Sequence, residues 1–212
     1  MGDVLNRMAE AVVSLEEEEV KKLMEKALEE QVLAGQILSE GLTKGLRKLG
    51  EKFSSGELFI PHMMIGAEIV QNCVKILEPH LLKSGENAKK IPVVIGTVEG
   101  DLHDLGKNLV VTMLQASGFP VIDLGRDVPN MEFVKKVREV KPCILCMSAL
   151  MTTTMIRQRE VIDSLKQEGI KSEVKVLIGG APISSEWARD IGADSYGEDA
   201  MEAVAEAEKM AV

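Results

Sequence analysis

A histidine with an aspartate on each side stands in a glycine-rich stretch of the chain, and these residue types suit metal binding. Asp101 precedes His103 by two residues, Asp104 follows it directly, and Gly100 and Gly106 lie on either side. An imidazole can bind a metal while a nearby carboxylate holds the proton of its other ring nitrogen. The pattern D-x-H-x-x-G is short, however, and a surface loop with a solvated histidine and a helix-capping Asp104 accounts for it equally well.

Phosphate-binding loops do not explain this stretch. Gly96, Gly100 and Gly106 are separated by three and five residues, which is not the dinucleotide pattern G-x-G-x-x-G, and no Gly-Lys-Ser/Thr is present. An apolar run at 91–95 precedes the loop, and a helical pattern at 109–114 follows it. The loop is therefore expected at the carboxyl end of a strand, where open α/β sheets bind their ligands.

Three later apolar runs also end in candidate residues, most of them hydroxyls and glycines. They are Ser148, Leu150, Thr152 and Thr154 after one run, Gly179 and Gly180 after the next, and Tyr196 and Gly197 at the last. Each group alone has a plain explanation as a helix cap or a turn. The carboxyl ends of parallel strands share one edge, so the four groups together predict a binding site there.

The chain after residue 90 alternates short apolar runs with longer helical patterns. Strands are predicted at Ile91–Thr97, Val121–Leu124, Ile144–Ser148, Val174–Ile178 and Asp194–Tyr196. Helices are predicted at Leu105–Ser117, Met131–Val140, Thr153–Glu168, Ser185–Ile191 and Asp199–Met210. This order predicts an α/β fold over residues 91–212: a Rossmann-like (flavodoxin-like), doubly wound, parallel five-stranded domain.

Residues 1–83 contain helical periodicity only and predict a four-helix bundle. Apolar residues recur at helical spacing in each of four segments, and Pro61 stands where a first helical turn tolerates it. The polar, aperiodic stretch 84–90 separates the two patterns and is predicted to be the domain linker.

Composition limits the function classes. The net charge of −9 argues against a nucleic-acid partner, which normally meets a basic surface. No apolar run reaches the roughly 18 residues of a membrane span, and the N-terminus lacks the form of a signal peptide. Three cysteines cannot all pair within one chain, which favours a reducing compartment. A cytoplasmic protein without a membrane or nucleic-acid partner is expected.

The other metal-binding residue types are interpreted as structural. Cys143 and Cys146 lie three apart within one predicted strand, so their side chains should point to opposite faces and should not meet. His62 and His80 stand on predicted bundle helices without a partner at ligand spacing.

Two sets of residues resemble a known family. The motif D-x-H-x-x-G at 101–106, Ser148-x-Leu150 and Gly179-Gly180 resemble the signature of domains that bind cobalamin with its own base displaced. In the helical half, E-G-L-x-x-G-L-x-x-L-G-E-x-F at 40–53 and L-F-I-P at 58–61 resemble the helical cap domain of methionine synthase and of corrinoid proteins in methyltransferase systems. The resemblance covers nearly the whole chain, in the family's order.

The resemblance implies a role for each of these residues. His103 would be the lower axial ligand of cobalt, Asp101 would hold its other ring nitrogen, and Thr154 would complete the relay. The residues implied around the corrin and its nucleotide tail are Gly100, Asp104, Gly106, Ser148, Leu150, Thr152, Gly179, Gly180, Tyr196 and Gly197. Those implied to cover the upper face are Phe59, Met63 and Met64. The stretch 124–129 resembles the family's neighbouring loop at the corrin edge.

The implied function is that of a methyl carrier without turnover of its own. Its cofactor would be cobalamin, in the methylcobalamin or hydroxocobalamin form. A substrate-specific methyltransferase for methylamine, methanol, betaine or an aryl ether would load the methyl group, and a second one would pass it to tetrahydrofolate or a thiol. A reductive activase is a further expected partner, and the linker is expected to act as a hinge. The alternatives are a cobalamin-dependent sensor, an adenosylcobalamin mutase subunit and a plain α/β interaction module.

Overall fold

The computed structural model describes residues 2–84 and 90–211, so most of the predicted linker at 84–90 lies outside the described residues. By its contacts the chain divides into two compact units. The first comprises Met1–Lys89 and Ala116–Gly118, and the second comprises Lys90–Gln115 and Phe119–Val212. No helix in the described part of the chain is long and apolar enough to cross a membrane.

The first unit consists of helices. They are α1 (Gly2–Val13), α2 (Glu17–Glu29), α3 (Ala34–Gln36), a π-helical segment (Ile37–Thr43), α4 (Lys44–Ser54) and α5 (Ile60–Ser84). In α2 the buried residues Val20, Leu23, Met24 and Ala27 recur at helical spacing, which gives one apolar stripe for packing.

The third of the four predicted helical segments, with apolar residues from Ile37 to Phe53, differs from a regular α-helix because it contains the π-helical segment, which apolar spacing does not reveal. Close packing against α1 surrounds this region. A Cβ on Gly41 would lie 2.7 Å from Sδ of Met8, and one on Gly45 would lie 2.7 Å from Cβ of Val12. Small residues are therefore required where this helix crosses α1.

The second unit is a parallel sheet with helices. Its elements are β1 (Val93–Thr97), α6 (Leu105–Ala116), β2 (Val121–Asp123), α7 (Asn130–Val140), β3 (Cys143–Ser148), α8 (Ile156–Gln167), a 3₁₀ turn (Lys171–Glu173), β4 (Val174–Gly179), α9 (Ser185–Ile191), β5 (Ser195–Gly197) and α10 (Ala200–Met210). The five described strands are parallel in the order β2-β1-β3-β4-β5. This order confirms the predicted fold class and reverses direction between β1 and β3, where such sheets bind ligands.

Alternation along the strands separates two faces of the sheet. Val94, Leu145 and Val176 belong to a core formed with α7, α8 and α9. The following residues, Ile95, Cys146 and Leu177, are paired in register across β1, β3 and β4 and line a cavity on the opposite face.

The start of α8 differs from the prediction of a helix from Thr153. Residues 151–155 form a turn in which the N–H groups of Thr154 and Met155 donate to the carbonyl of Met151 at 3.1 and 3.0 Å. The helix begins only at Ile156. This turn determines where the Thr154 side chain lies.

Candidate functional site

The site begins with two residues that are neighbours in sequence and in space. Nδ1 of His103 lies 2.8 Å from Oδ1 of Asp101, which also accepts a hydrogen bond from the His103 backbone N–H at 3.1 Å. Asp101 is fully buried, whereas the His103 side chain is 54% exposed. The carboxylate is therefore inside the protein and the imidazole at its surface.

The second oxygen of Asp101 is held from a different part of the chain. Oδ2 accepts hydrogen bonds from the Leu150 N–H at 2.7 Å and from the Thr154 hydroxyl at 2.8 Å. Burial alone would raise the pKa of this carboxyl. The hydrogen bonds from Leu150, Thr154 and His103 outweigh burial and lower the pKa to about 2.

The charge on Asp101 determines the tautomer of His103. An ionised carboxylate only accepts hydrogen bonds, so Nδ1 of His103 carries the hydrogen between them and a neutral ring has its lone pair on Nε2. A further bond holds the loop, since the buried Thr97 hydroxyl donates to the carbonyl of His103 at 3.3 Å. The result is an oriented imidazole whose free nitrogen can bind a metal.

A cavity of about 710 Å³ opens beside the imidazole. Its walls come from the loop and start of α6, the ends of β3 and β4, and the start of α10. Of the predicted cofactor-binding residues it is lined by His103, Asp104, Gly106, Ser148, Leu150, Gly179, Gly180 and Gly197. The sheet edge thus brings together residues from four parts of the sequence, as the carboxyl ends of parallel strands must.

Two glycines of the cavity have different physical reasons to be glycine. At Gly180, φ is +128°, and an added Cβ would lie 1.8 Å from the carbonyl oxygen of Ala149. At Gly106, an added Cβ would meet nothing within 4 Å. Gly180 is therefore required by the fold, whereas Gly106 leaves space open in the cavity.

The remaining predicted residues of this unit lie outside the cavity lining. Asp101 and Thr154 stand behind His103 and reach the site through hydrogen bonds. Gly100 adopts a φ of +82° in the loop, and Thr152 is exposed. Tyr196 packs against the core formed with α7, α8 and α9. Because side chains alternate along β5, its ring points away from the cavity that Gly197 lines, which differs from the cofactor contact predicted for it.

The predicted covering residues belong to the helical unit and differ in exposure. Phe59 is 65% and Met64 48% exposed, whereas Met63 is fully buried. His62 stabilises the start of α5, because its Nδ1 accepts a hydrogen bond from the Phe59 N–H at 3.2 Å. His80 is exposed.

The cysteines have no redox arrangement. Cys143 belongs to the core with α7, α8 and α9, and Cys146 lines the cavity on the other face, as expected for residues three apart in a strand. Burial raises the pKa of the Cys143 thiol to about 11 and that of Cys146 to about 12. Both are buried free thiols.

Sequence reasoning missed a buried cation at this site. Lys107 lines the cavity with a side chain only 1% exposed, and its Nζ lies 2.6 Å from Oδ2 of Asp123 and 2.6 Å from Oδ1 of Asn108. A lysine one residue after the glycine of D-x-H-x-x-G was a usable signal, because a buried ammonium needs an acidic partner. Asp123, at the end of the next strand, was available.

The possible metal ligands at this site suit a metal that is already held in an organic macrocycle. Within residues 2–84 and 90–211, no three His, Cys, Asp or Glu side chains are grouped to hold an ion between them. His103 offers a single oriented nitrogen at the mouth of a large cavity. One protein ligand is sufficient for a metal that brings its other ligands in an organic macrocycle.

Comparisons with known proteins agree along the whole chain. Two families described as B12 binding domains match residues 4–78 and 91–205. A dimethylamine corrinoid protein of Methanosarcina acetivorans is 47% identical over 99% of this chain and 99% of its own. The crystal structure of a cobalamin-binding protein from Desulfitobacterium hafniense has a TM-score of 0.85 at 37% identity, covering 97% of each chain. A chain of the methanol:cobalamin methyltransferase complex of Methanosarcina barkeri has a TM-score of 0.77 at 32% identity, covering 98% of this chain and 79% of that one.

Proposed function

This chain belongs to the family of corrinoid proteins of methyltransferase systems, with cobalamin as its cofactor, and we propose that it carries a methyl group between two methyltransferases with His103 as the lower ligand of cobalt. The observation that carries the proposal is the 2.8 Å contact between Nδ1 of His103 and the buried carboxylate of Asp101, at the mouth of the cavity. When bound, cobalamin supplies a cobalt that can accept a methyl group and release it.

The residues of the site fit this cofactor. A corrin ring brings its own cobalt, so the protein would need to supply only one nitrogen ligand, and His103 would be that ligand. The cofactor's own base would then be displaced, and its nucleotide tail needs an enclosed space. The cavity of about 710 Å³ has room for such a tail, and the open space at Gly106 lies along its wall.

The protein's contribution is to orient the imidazole and adjust its donor strength. Asp101 stays ionised at neutral pH because its pKa is about 2. The ionised carboxylate keeps the hydrogen on Nδ1 of His103 and raises the basicity of Nε2. Thr154 and the Leu150 N–H hold the other carboxylate oxygen, so the pair has one defined geometry.

The tail would lie against the ends of β3 and β4. Ser148 and Leu150 line the cavity beside Gly179 and Gly180, since Ser148 and Gly179 are paired in register on the adjacent strands β3 and β4. Leu150 is 44% exposed, which suits an apolar contact with the cofactor's base. Thr152 and Gly100 are proposed to contribute at the rim.

The methyl donor is proposed to be a methylated amine. Support comes from the 47% identity to a dimethylamine corrinoid protein, and methanol is the second candidate because of the 32% identity within the methanol:cobalamin methyltransferase complex. The acceptor enzyme for tetrahydrofolate or a thiol, the reductive activase and a cytoplasmic location remain parts of this proposal. The predicted cover by Phe59, Met63 and Met64 and the hinge at 84–90 likewise stay predictions.

Binding of hydroxocobalamin tests the proposal directly. The purified protein should retain one cofactor per chain through gel filtration. With ¹⁵N-labelled histidine, the nitrogen splitting in the electron paramagnetic resonance spectrum of the Co(II) state should change, because the axial nitrogen belongs to a histidine. His103→Ala should abolish that splitting, and His80→Ala, at an exposed histidine of the helical unit, should leave it intact. A colourless protein after filtration would overturn cobalamin binding. If the splitting in the protein with ¹⁵N-labelled histidine were the same as in the unlabelled protein, ligation by His103 would be overturned.

The choice of donor is tested by reconstitution. The cofactor-loaded protein is reduced to the Co(I) state with a strong chemical reductant such as titanium(III) citrate and combined with either a dimethylamine or a methanol methyltransferase and the matching substrate. Faster methylation with the dimethylamine enzyme is expected. A preference for the methanol enzyme would replace the amine by methanol as the donor, and methylation by neither would remove both classes.

A further inference from the structure

The last residue of β2 and the segment that follows it, residues 123–127, are bonded to the His103 loop on both sides of the histidine. On the side before it, the Asp127 carboxylate accepts a hydrogen bond from the Gly100 N–H at 2.7 Å, and the Asp127 N–H donates to the carbonyl of Asp101 at 3.1 Å. One residue thus holds the two positions that lead into His103.

The side after the histidine is held by two ion pairs. Nζ of Lys107 lies 2.6 Å from Oδ2 of Asp123, and this lysine is buried. Arg126 and Asp104 form a longer pair at 3.9 Å, with both side chains exposed. Because exposed pairs contribute little, the buried Lys107 pair is the main bond on this side.

The backbone of Asp127 is unusual for its position. Among the described residues, three non-glycine residues have a positive φ: Leu15 at 59°, Gln31 at 59° and Asp127 at 53°. Leu15 and Gln31 follow the ends of α1 and α2, where a left-handed residue commonly ends a helix. Asp127 follows a strand and ends no helix. Such a conformation persists where surrounding bonds require it, and it concentrates at functional sites.

We propose that Asp127 is a positioning residue. It fixes the position of the His103 loop relative to the sheet and thereby the strength with which His103 binds cobalt. This inference rests on the proposed role of His103. It goes beyond the bonds of Asp101 to the imidazole, because Asp127 acts on the backbone of the loop and contacts neither the ring nor its carboxylate partner's side chain.

The physical reason is the distribution of bonds along the loop. Asp101 fixes the ring relative to its own backbone, but the backbone of 100–101 must itself be fixed relative to the sheet. β2 is the neighbour of β1 in the sheet, so the bond from Asp127, in the segment that follows β2, ties Gly100 to the chain that leaves the neighbouring strand. A charged acceptor makes this bond stronger than a neutral one. Without it the Gly100 N–H bonds to water, and the loop loses one of the bonds that fix it beside those of Asp101 and Thr97.

Two variants separate the hydrogen bond from the backbone conformation. Asp127→Gly removes the acceptor while a glycine accepts the positive φ without strain. Asp127→Asn keeps an oxygen acceptor and a residue type that tolerates the left-handed region. Gln31→Gly is the matched control, because it places glycine at another positive-φ residue in the helical unit.

The first measurement uses the protein without cofactor. Hydrogen exchange of the Gly100 amide, followed by nuclear magnetic resonance, should be about fivefold faster in Asp127→Gly, the factor expected for one lost hydrogen bond. Exchange in Asp127→Asn and Gln31→Gly should stay within about twofold of the wild type. Equal exchange in Asp127→Gly and the wild type would overturn the inference.

The second measurement reports on the cobalt. After loading with hydroxocobalamin and reduction to the Co(II) state, Asp127→Gly should show a smaller fraction of histidine-nitrogen splitting than the wild type and Asp127→Asn. Unchanged splitting in Asp127→Gly would overturn the inference and leave the proposed function standing. Absence of the splitting in the wild type would overturn the role of His103, and with it the part of the inference that concerns ligation. The exchange data would then decide on the loop alone.

Discussion

The hydroxyl of Thr154 lies 2.8 Å from Oδ2 of Asp101, although the two residues are 53 positions apart. Both are buried, and the bond ties the turn after β3 to the loop after β1. A buried carboxylate without donors would cost several kcal/mol or take up a proton. Together with the bonds from the Leu150 N–H and from His103, the Thr154 bond lets the carboxylate remain ionised inside the protein and keep His103 in one tautomer.

The Thr154 hydroxyl is expected to stabilise the protein even without cofactor. Thr154→Val removes the donor and leaves Asp101 with one bond fewer, so the free energy of unfolding should fall by about 1–3 kcal/mol. Thr154→Ser keeps the donor and should lose less than Thr154→Val. Urea denaturation of the apoprotein measures both. A loss for Thr154→Val no larger than that for Thr154→Ser would contradict a stabilising role of the hydroxyl.

Asp101 predicts a pH dependence of stability in acid. Its pKa is about 2 in the folded protein against 3.8 for the ordinary carboxyl, so its contribution is complete above about pH 4 and is lost as the pH falls toward 2. The difference of nearly two pH units corresponds to about 2 kcal/mol. The free energy of unfolding of the wild type should fall more between pH 4 and 2 than that of Asp101→Asn. Parallel profiles would contradict the lowered pKa.

Two glycine substitutions should have opposite effects on the apoprotein. Gly180→Ala forces a Cβ against the Ala149 carbonyl at a φ of +128° and should destabilise by about 3 kcal/mol or more. Gly106→Ala lies in α6 with no atom within 4 Å of the new Cβ and should stabilise by about 0.5–1 kcal/mol. Thermal unfolding measures both.

The same Gly106→Ala variant should bind the cofactor more weakly, because its methyl group takes space in the cavity. A clash of this size corresponds to an affinity loss of about tenfold or more, measurable by titration with hydroxocobalamin. Unchanged affinity in a stable Gly106→Ala protein would place the nucleotide tail away from this wall.

The ion pair of Lys107, whose own side chain is buried while that of Asp123 is 34% exposed, should be worth more than a pair with both side chains exposed. Lys107→Met leaves Asp123 without its partner and should lower the free energy of unfolding by about 1–3 kcal/mol. Lys26→Met breaks the exposed pair of Lys26 and Glu30 at 3.8 Å and should cost less than about 0.5 kcal/mol. Denaturant titration compares the two variants. Similar losses would argue that solvent screens Lys107 as well.

Local patterns were sufficient for the architecture. Helical spacing before residue 83 and the strand–helix alternation after residue 90 predicted the fold class, because burial of one face imposes these periods on any sequence. The contact between Asp101 and His103 was predictable for the same local reason, since residues two apart in a loop can meet. The start of α8 was not, because in the turn at 151–155 the Thr154 hydroxyl bonds to Asp101, which is 53 positions away in the sequence.

The sequence by itself determined that Asp101 and His103 stand close enough to meet, the order of strands and helices, and, through the resemblance, cobalamin as the cofactor. Only the tertiary structure decided that Tyr196 faces away from the cavity, that Lys107 is buried against Asp123, and that Asp127 holds Gly100. These relationships join residues from different strands, and their distances follow from strand order and packing. No local period carries that information, because many sequences with the same pattern could place those side chains elsewhere.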